Sequence, residues 1–168
     1  GGIDPAAPGP EGVSQRAVSF RDLERQRVIP VEMYWSESSQ GPLVVLSHGF
    51  GADRSFLDYL GKHLASHGLT VVSVEHPGSN LQALVNLPVD PEIADEPSRI
   101  LPAAEFLDRP RDVTFVLDRI EQLNQSQSLY GGLFNTEEVT IIGHSLGGYT
   151  GLALAGAKLD LRSLGTFC

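Results

Sequence analysis

Residues 143–147 read Gly143-His144-Ser145-Leu146-Gly147, a serine with a glycine two positions away on either side. The pentapeptide sits between the apolar run Val139, Thr140, Ile141, Ile142 and a small-residue helical stretch that begins at Leu146. A serine at the tip of a strand-to-helix turn takes a strained backbone conformation, so the residues two before and two after it must lack bulky side chains. Gly143 and Gly147 meet that demand, Gly148 adds room, and His144 packs at the turn. The spacing predicts a nucleophile elbow. Its turn projects the Ser145 hydroxyl above the strand ends, while the following helix points amide donors and a positive dipole end at the same place. Nucleophilic acyl transfer needs that arrangement.

A second motif precedes it. His48-Gly49-Phe50-Gly51 follows Leu43, Val44, Val45, Leu46, Ser47, which reads as a buried strand closed by a glycine-rich loop. Attack on an ester carbonyl puts negative charge on its oxygen, and fixed donors in a dry site lower that barrier by about 3 to 4 kcal/mol each. A tight turn using two glycines is the plain alternative for either motif alone. Two motifs in this order, each after a strand, argue against it.

Composition narrows the field. The 168 residues, 41% of them hydrophobic, suffice for one globular unit with a real core. A net charge of -9 and the absence of any Lys/Arg cluster exclude the electrostatic footprint of nucleic-acid binding. The single cysteine, Cys168, leaves no internal disulfide and no thiolate metal site. His48, His63, His67, His76 and His144 show no His-Glu-x-x-His or comparable spacing, so neither a metal nor a cofactor is expected. No apolar stretch approaches the ~20 residues of a bilayer span. No signal-peptide pattern opens the chain. The expectation is a soluble protein, cytoplasmic or exported after loss of an upstream signal.

The elements that must carry these motifs follow from periodicity. Residues 1–14 are Pro- and Gly-rich at their start and read as an extended arm or linker. Ala17–Leu23 and Arg27–Trp35 suggest two antiparallel strands, with Pro30 marking an edge or a bulge and Trp35 on a sheet face. Ser55 to His67 reads as a helix with Phe56, Leu57, Leu60 and Leu64 on one face, a Ser55/Asp58 capping pattern and a stop at Gly68. His63 and His67 fall on its solvated flank. Leu69–Val74 is the next buried strand. Residues 77–110 hold Pro77, Pro88, Pro91, Pro97, Pro102 and Pro110 and several acids, and read as a lid-like insertion at the C-terminal end of a strand. Helical spacing resumes at Val113, Val116, Leu117, Ile120 and Leu123, with Pro110 in the first turn and Asp108 as cap. Strands alternating with helices imply a parallel sheet covered on both faces.

These residues carry a family resemblance: Ser47-His48-Gly49-Phe50-Gly51-Ala52, Ala65-Ser66-His67-Gly68, Val74-Glu75-His76 and Gly143-His144-Ser145-Leu146-Gly147-Gly148. Over roughly residues 17–160 the chain resembles the α/β-hydrolase superfamily, and more closely bacterial dienelactone-hydrolase-like proteins related to platelet-activating-factor acetylhydrolase. His76-Pro77-Gly78-Ser79-Asn80 and Phe106-Leu107-Asp108-Arg109-Pro110 are similar to the cyanobacterial members. The resemblance implies an α/β-hydrolase fold, a mostly parallel sheet with flanking helices, of which residues 15–168 form the N-terminal portion. It implies Ser145 as nucleophile, the backbone amides of Phe50 and Leu146 as the oxyanion hole, and His48, Gly49 and Gly51 as supports of the loop. Ser145 stands where dienelactone hydrolase itself has a cysteine, which favours serine-esterase chemistry on a small-molecule ester with a short or modified acyl group. Downstream of Ser145 lie Asp160 and no histidine. In the fold's order of Ser, then Asp or Glu, then His, the triad acid and histidine are therefore expected beyond residue 168, and residues 1–168 alone are expected to be inactive. A non-catalytic α/β-hydrolase-like binding protein and a peptidase on the same fold are the alternatives.

Overall fold

Strands and helices alternate along residues 4–87 and 101–157, which are the residues described by the computed structural model. The strands are β1 (Val13–Asp22), β2 (Arg27–Ser36), β3 (Pro42–Ser47), β4 (Thr70–Val74) and β5 (Asn135–Gly143). They form one sheet in the order β1-β2-β4-β3-β5. β4, β3 and β5 run parallel, and β1 and β2 extend the sheet as an antiparallel hairpin. The helices are α1 (Asp58–Ser66), which precedes β4, α2 (Leu81–Val85) and α3 (Ala103–Asn124), which lie between β4 and β5, and α4 (Leu146–Leu154), which follows β5.

Side-chain alternation sorts the core into two layers. Ile29, Val31, Met33, Leu43, Val45, Val72 and Val74 face α3, where Val113, Val116 and Ile120 are fully buried. Tyr34, Val44, Leu46 and Val71 face α1, against Leu57 and Ala65. Trp35 stacks edge-on to Tyr130 with centroids 6.0 Å apart. α4 lies on the α3 side, where Leu154 and Ile141 join the first layer.

Pro30 is not at an edge or bulge, because β2 is an interior strand. The β2–β4 ladder ends at the Val31–Val74 pair, and beyond it the Pro30 carbonyl accepts the Glu75 amide at 2.9 Å. Proline fits where the neighbouring strand has run out and no ladder donor is needed.

Helix α1 starts later than the capping pattern suggests. Asp53 Oδ1 accepts both the amide of Ser55 at 2.8 Å and its hydroxyl at 2.6 Å, a local turn that competes with helix. Gly68, at φ 85°, ends the helix as expected, its amide bonding Ala65 O and that of Leu69 bonding Leu64 O.

Helix α3 begins at Ala103, so Pro110 is interior and Asp108 does not cap it. A proline inside a helix leaves the carbonyl four residues earlier without a donor. Here that carbonyl belongs to Phe106, and the Tyr149 hydroxyl of α4 donates to it at 2.9 Å. The two rings also meet edge to face at 5.3 Å. Residues 103–110 of the lid-like stretch thus belong to a helix that covers the sheet, and 81–85 form α2. Residues 88–100 of that stretch, and Asp160, lie outside the described residues.

The N-terminal arm is docked rather than free. The Gly9 amide bonds Ser66 Oγ at 2.8 Å, and the Nε2 atoms of His63 and His67 reach the carbonyls of Pro5 and Ala7 at 2.9 and 3.1 Å. The two histidines therefore lie half-buried beneath the arm. Among the described residues no helix is long and apolar enough to cross a membrane.

Candidate active site

Ser145 has φ 53° and ψ −116°, a left-handed conformation that side chains rarely tolerate. Tight packing holds it there. A Cβ on Gly143 would come within 2.0 Å of Gly147 O, and one on Gly147 within 2.0 Å of Ser47 O. The His144 amide donates to Ser47 O at 3.1 Å, fastening the turn to the end of β3. α4 starts at the next residue, with Gly147 and Gly148 closing back onto His144 O and Ser145 O at 2.8 Å each.

The His48 loop lies against this turn. Gly49 is so close that a Cβ there would meet Ser145 Cβ at 3.3 Å and His144 Nδ1 at 3.2 Å. Between the two segments opens a cleft of about 440 Å³ lined by Gly49, Phe50, Ala52, Phe56, Leu81 and Ser145 among others. Ser145 and His144 are exposed at its floor, and the His144 ring lies tilted against Phe56 with centroids 5.2 Å apart. Among the described residues neither the Phe50 nor the Leu146 amide has an acceptor, and no hydrogen bond to Ser145 Oγ is formed.

Gly51 sits at φ 76° and passes its amide to Ser79 O at 2.9 Å, while the Leu81 amide bonds Ala52 O at 2.9 Å. These bonds tie the mouth of α2 to the loop and bring Leu81 into the cleft. The contributions of Leu81 and Phe56 escaped the sequence reading; the Asn80 cap on Ala83 N was the one local sign of a helix there.

His48 is buried and its two nitrogens are both engaged. Nδ1 lies 2.6 Å from Gly49 O, and Nε2 accepts the His76 amide at 3.0 Å. An amide can only donate, so Nε2 is unprotonated and Nδ1 carries the hydrogen. Burial holds the ring neutral by lowering its pKa to about 4, with the Arg109 charge acting in the same direction.

Beneath the loop runs a second constellation that the sequence reading missed. Ser47 Oγ is 2.9 Å from His76 Nε2, and His76 Nδ1 is 3.0 Å from Asp112 Oδ2. The spacing is that of a catalytic relay, yet all three side chains are inaccessible to solvent and none lines the cleft. Burial keeps His76 neutral, at about 3. Burial opposes ionisation of Asp112 too, but hydrogen bonds from His76 and Arg27 outweigh it and leave its carboxyl below the usual range. Arg25 Nη1 and Arg27 Nη2 reach Asp112 at 2.8 and 2.9 Å, which fastens the β1–β2 hairpin to α3. With no path for a reactant, these bonds hold segments together.

Comparison with known proteins agrees with this architecture. The family model described as "Alpha/beta hydrolase family" matches residues 44–167. Platelet-activating factor acetylhydrolase from Canis lupus familiaris is 31% identical over 65% of this chain and 30% of its own length, and that from Bos taurus is 32% identical over the same shares. The chain thus spans under a third of the length of these relatives. Ferulic acid esterase from Streptomyces cinnamoneus superposes with a TM-score of 0.67 at 23% identity, covering 89% of this chain and 57% of that one, a likeness of fold. An elbow serine at positive φ, the glycine-rich loop facing it and a family match across three quarters of the sequence lead to one assignment: the chain belongs to the alpha/beta hydrolase family.

Proposed function

We propose that this chain carries the nucleophile and oxyanion hole of a serine carboxylic-ester hydrolase. The observation that supports it is the strained Ser145 exposed on the floor of a cleft whose opposite wall is the Phe50 loop. Ser145 Oγ attacks the ester carbonyl carbon as its proton passes to a general base. The carbonyl oxygen, now anionic, is held by the amides of Phe50 and Leu146. Collapse breaks the bond to the alcohol, which leaves with the proton, and water releases the acid from the acyl-enzyme by the same route in reverse. No cofactor takes part.

The reading takes its base from a histidine later in the chain than residue 168, in the fold's order of nucleophile, acid and base. None of the described histidines is hydrogen-bonded to Ser145, which is consistent with it. The substrate is an ester with a short or lipid-like acyl group: Phe50, Phe56 and Leu81 give the cleft an apolar lining, and the curated relatives are acetylhydrolases.

The test is labelling of the full-length protein with a fluorophosphonate probe and turnover of p-nitrophenyl acetate. Labelling at Ser145, with both labelling and turnover abolished by Ser145→Ala, is the expected result. Undiminished turnover in that variant, or no labelling of the folded wild type, would return the chain to a non-catalytic binding role.

A further inference from the structure

Arg109 is the largest fully buried side chain among the described residues, and no carboxylate there lies within ion-pair distance of it. Its guanidinium is spent on neutral acceptors. Nε donates to Thr150 Oγ1 at 2.9 Å, Nη1 to Ser79 Oγ at 2.7 Å, and Nη2 to Ser47 Oγ at 3.3 Å and to the His48 carbonyl. Burying a cation with no carboxylate in contact is costly, and the charges of Glu105 and Asp112 offset that cost only from a distance. Burial lowers its pKa to about 10, which still leaves it charged at neutral pH.

Those acceptors converge on one place. The His48 carbonyl belongs to the peptide that leads into Gly49 and Phe50. Thr150, in turn, donates its hydroxyl to Leu146 O at 3.2 Å, one turn back along α4. Ser79 is the residue whose carbonyl holds the Gly51 amide. One planar group therefore holds the start of the loop that carries Phe50, reaches through Thr150 the first turn of the helix that carries Leu146, and contacts the segment that braces the loop. A guanidinium has the fixed fork needed to span divergent acceptors, which an ammonium lacks.

Resting on the reading of Ser145 as nucleophile, we propose that Arg109 is a positioning residue for the acyl-transfer step, setting the Phe50 loop and the elbow helix at the separation that the oxyanion requires. Its effect falls on the transition state, because the donors it orients act on charge that appears only there.

The experiment uses the full-length protein with Arg109→Lys and Thr150→Val. Readouts are kcat and KM for p-nitrophenyl acetate, the rate of fluorophosphonate labelling and the melting temperature. Arg109→Lys should lower kcat by about 30- to 100-fold, and Thr150→Val by about three- to tenfold, each with KM within about twofold and labelling slowed in parallel. Folded variants with wild-type kcat, or with a raised KM alone, overturn the proposal. Should Arg109→Lys fail to fold, Thr150→Val decides: a lowered kcat supports the proposal and an unchanged one overturns it. If folded wild type is not labelled at Ser145, the ester-hydrolase reading fails and this inference with it. Normal wild-type labelling with equally fast labelling of the variants defeats the inference alone.

Discussion

The Nδ1 atom of His48 lies 2.6 Å from the carbonyl oxygen of Gly49, the far end of the peptide whose N–H belongs to Phe50. In a trans peptide the C=O and N–H point in opposite directions, so gripping the oxygen aims the hydrogen. The ring is held in turn by the His76 amide on Nε2. A side chain that never enters the cleft thereby orients a donor on its wall.

This orientation can be tested with two amides that each mimic one nitrogen of the ring. His48→Asn keeps a donor near the Nδ1 position, whereas His48→Gln extends its polar group toward the Nε2 position. We expect kcat for p-nitrophenyl acetate to fall about tenfold or more in His48→Gln, and distinctly less in His48→Asn, with KM little changed in both. Equal kcat in the two variants would contradict the role of the Gly49 contact.

Acid should weaken the fold before ordinary carboxylate titration does. His48 and His76 are held at about 4 and about 3, from an ordinary 6.5, chiefly by burial. Above pH 6.5 both states leave these rings neutral and stability is fully present. As pH falls from 6.5 toward 4, the unfolded chain takes up protons that the folded chain refuses, so stability is lost through this window and levels off below the folded values. The unfolding free energy from urea denaturation, and with it the midpoint, should drop steeply between pH 6.5 and 4, the free energy by a total on the order of a few kcal/mol. A midpoint constant from pH 7 to 4.5 would show the rings to be titrating normally.

Adjacent glycines should respond oppositely to alanine. Gly147→Ala drives a methyl to 2.0 Å from the Ser47 carbonyl oxygen, a backbone atom that cannot swing away. Destabilisation by about 3 kcal/mol or more follows, read as a melting temperature lower by roughly 10 °C. At Gly148 the nearest atom is Gly143 O at 3.7 Å, an ordinary contact in a helix interior. Gly148→Ala should be neutral or stabilise by about 0.5 to 1 kcal/mol.

The Tyr149 hydroxyl and Pro110 should show coupling in a double-mutant cycle. Tyr149→Phe strips the Phe106 carbonyl of its donor and should cost about 1 kcal/mol by urea denaturation. In a Pro110→Ala background the helix supplies its own amide to that carbonyl, and the same substitution should cost markedly less. Equal costs in both backgrounds would mean that the hydroxyl does not stand in for the missing amide.

The elbow and the loop were legible because each is local: five residues for one, four for the other, both following apolar runs that became β5 and β3. The hairpin of β1 and β2 and the Gly68 stop were legible for the same reason. The network around Arg109 was not, since its partners lie 30 to 62 residues away in sequence and leave no mark on their neighbours. Pro110 misled for a related reason. A proline flanked by helical periodicity signals a start, and only a hydroxyl 39 positions on, at Tyr149, makes an interior place tolerable. Ser55 looked like a cap until Asp53, two residues earlier, claimed its hydroxyl.

Ser47 and Ser145 divide between them what a hydrolase serine needs. Along the chain the buried relay runs Ser47, His76, Asp112, whereas this fold arranges its catalytic members as serine, acid, histidine. Linear order thus separates the two serines even before solvent exposure is considered. Ser47 is also sealed, so a covalent trap offered to the intact protein has no route to it. If the trap ever marks Ser47, the mark dates the opening of the β3–α3 layer, and the dry relay becomes a reporter of unfolding.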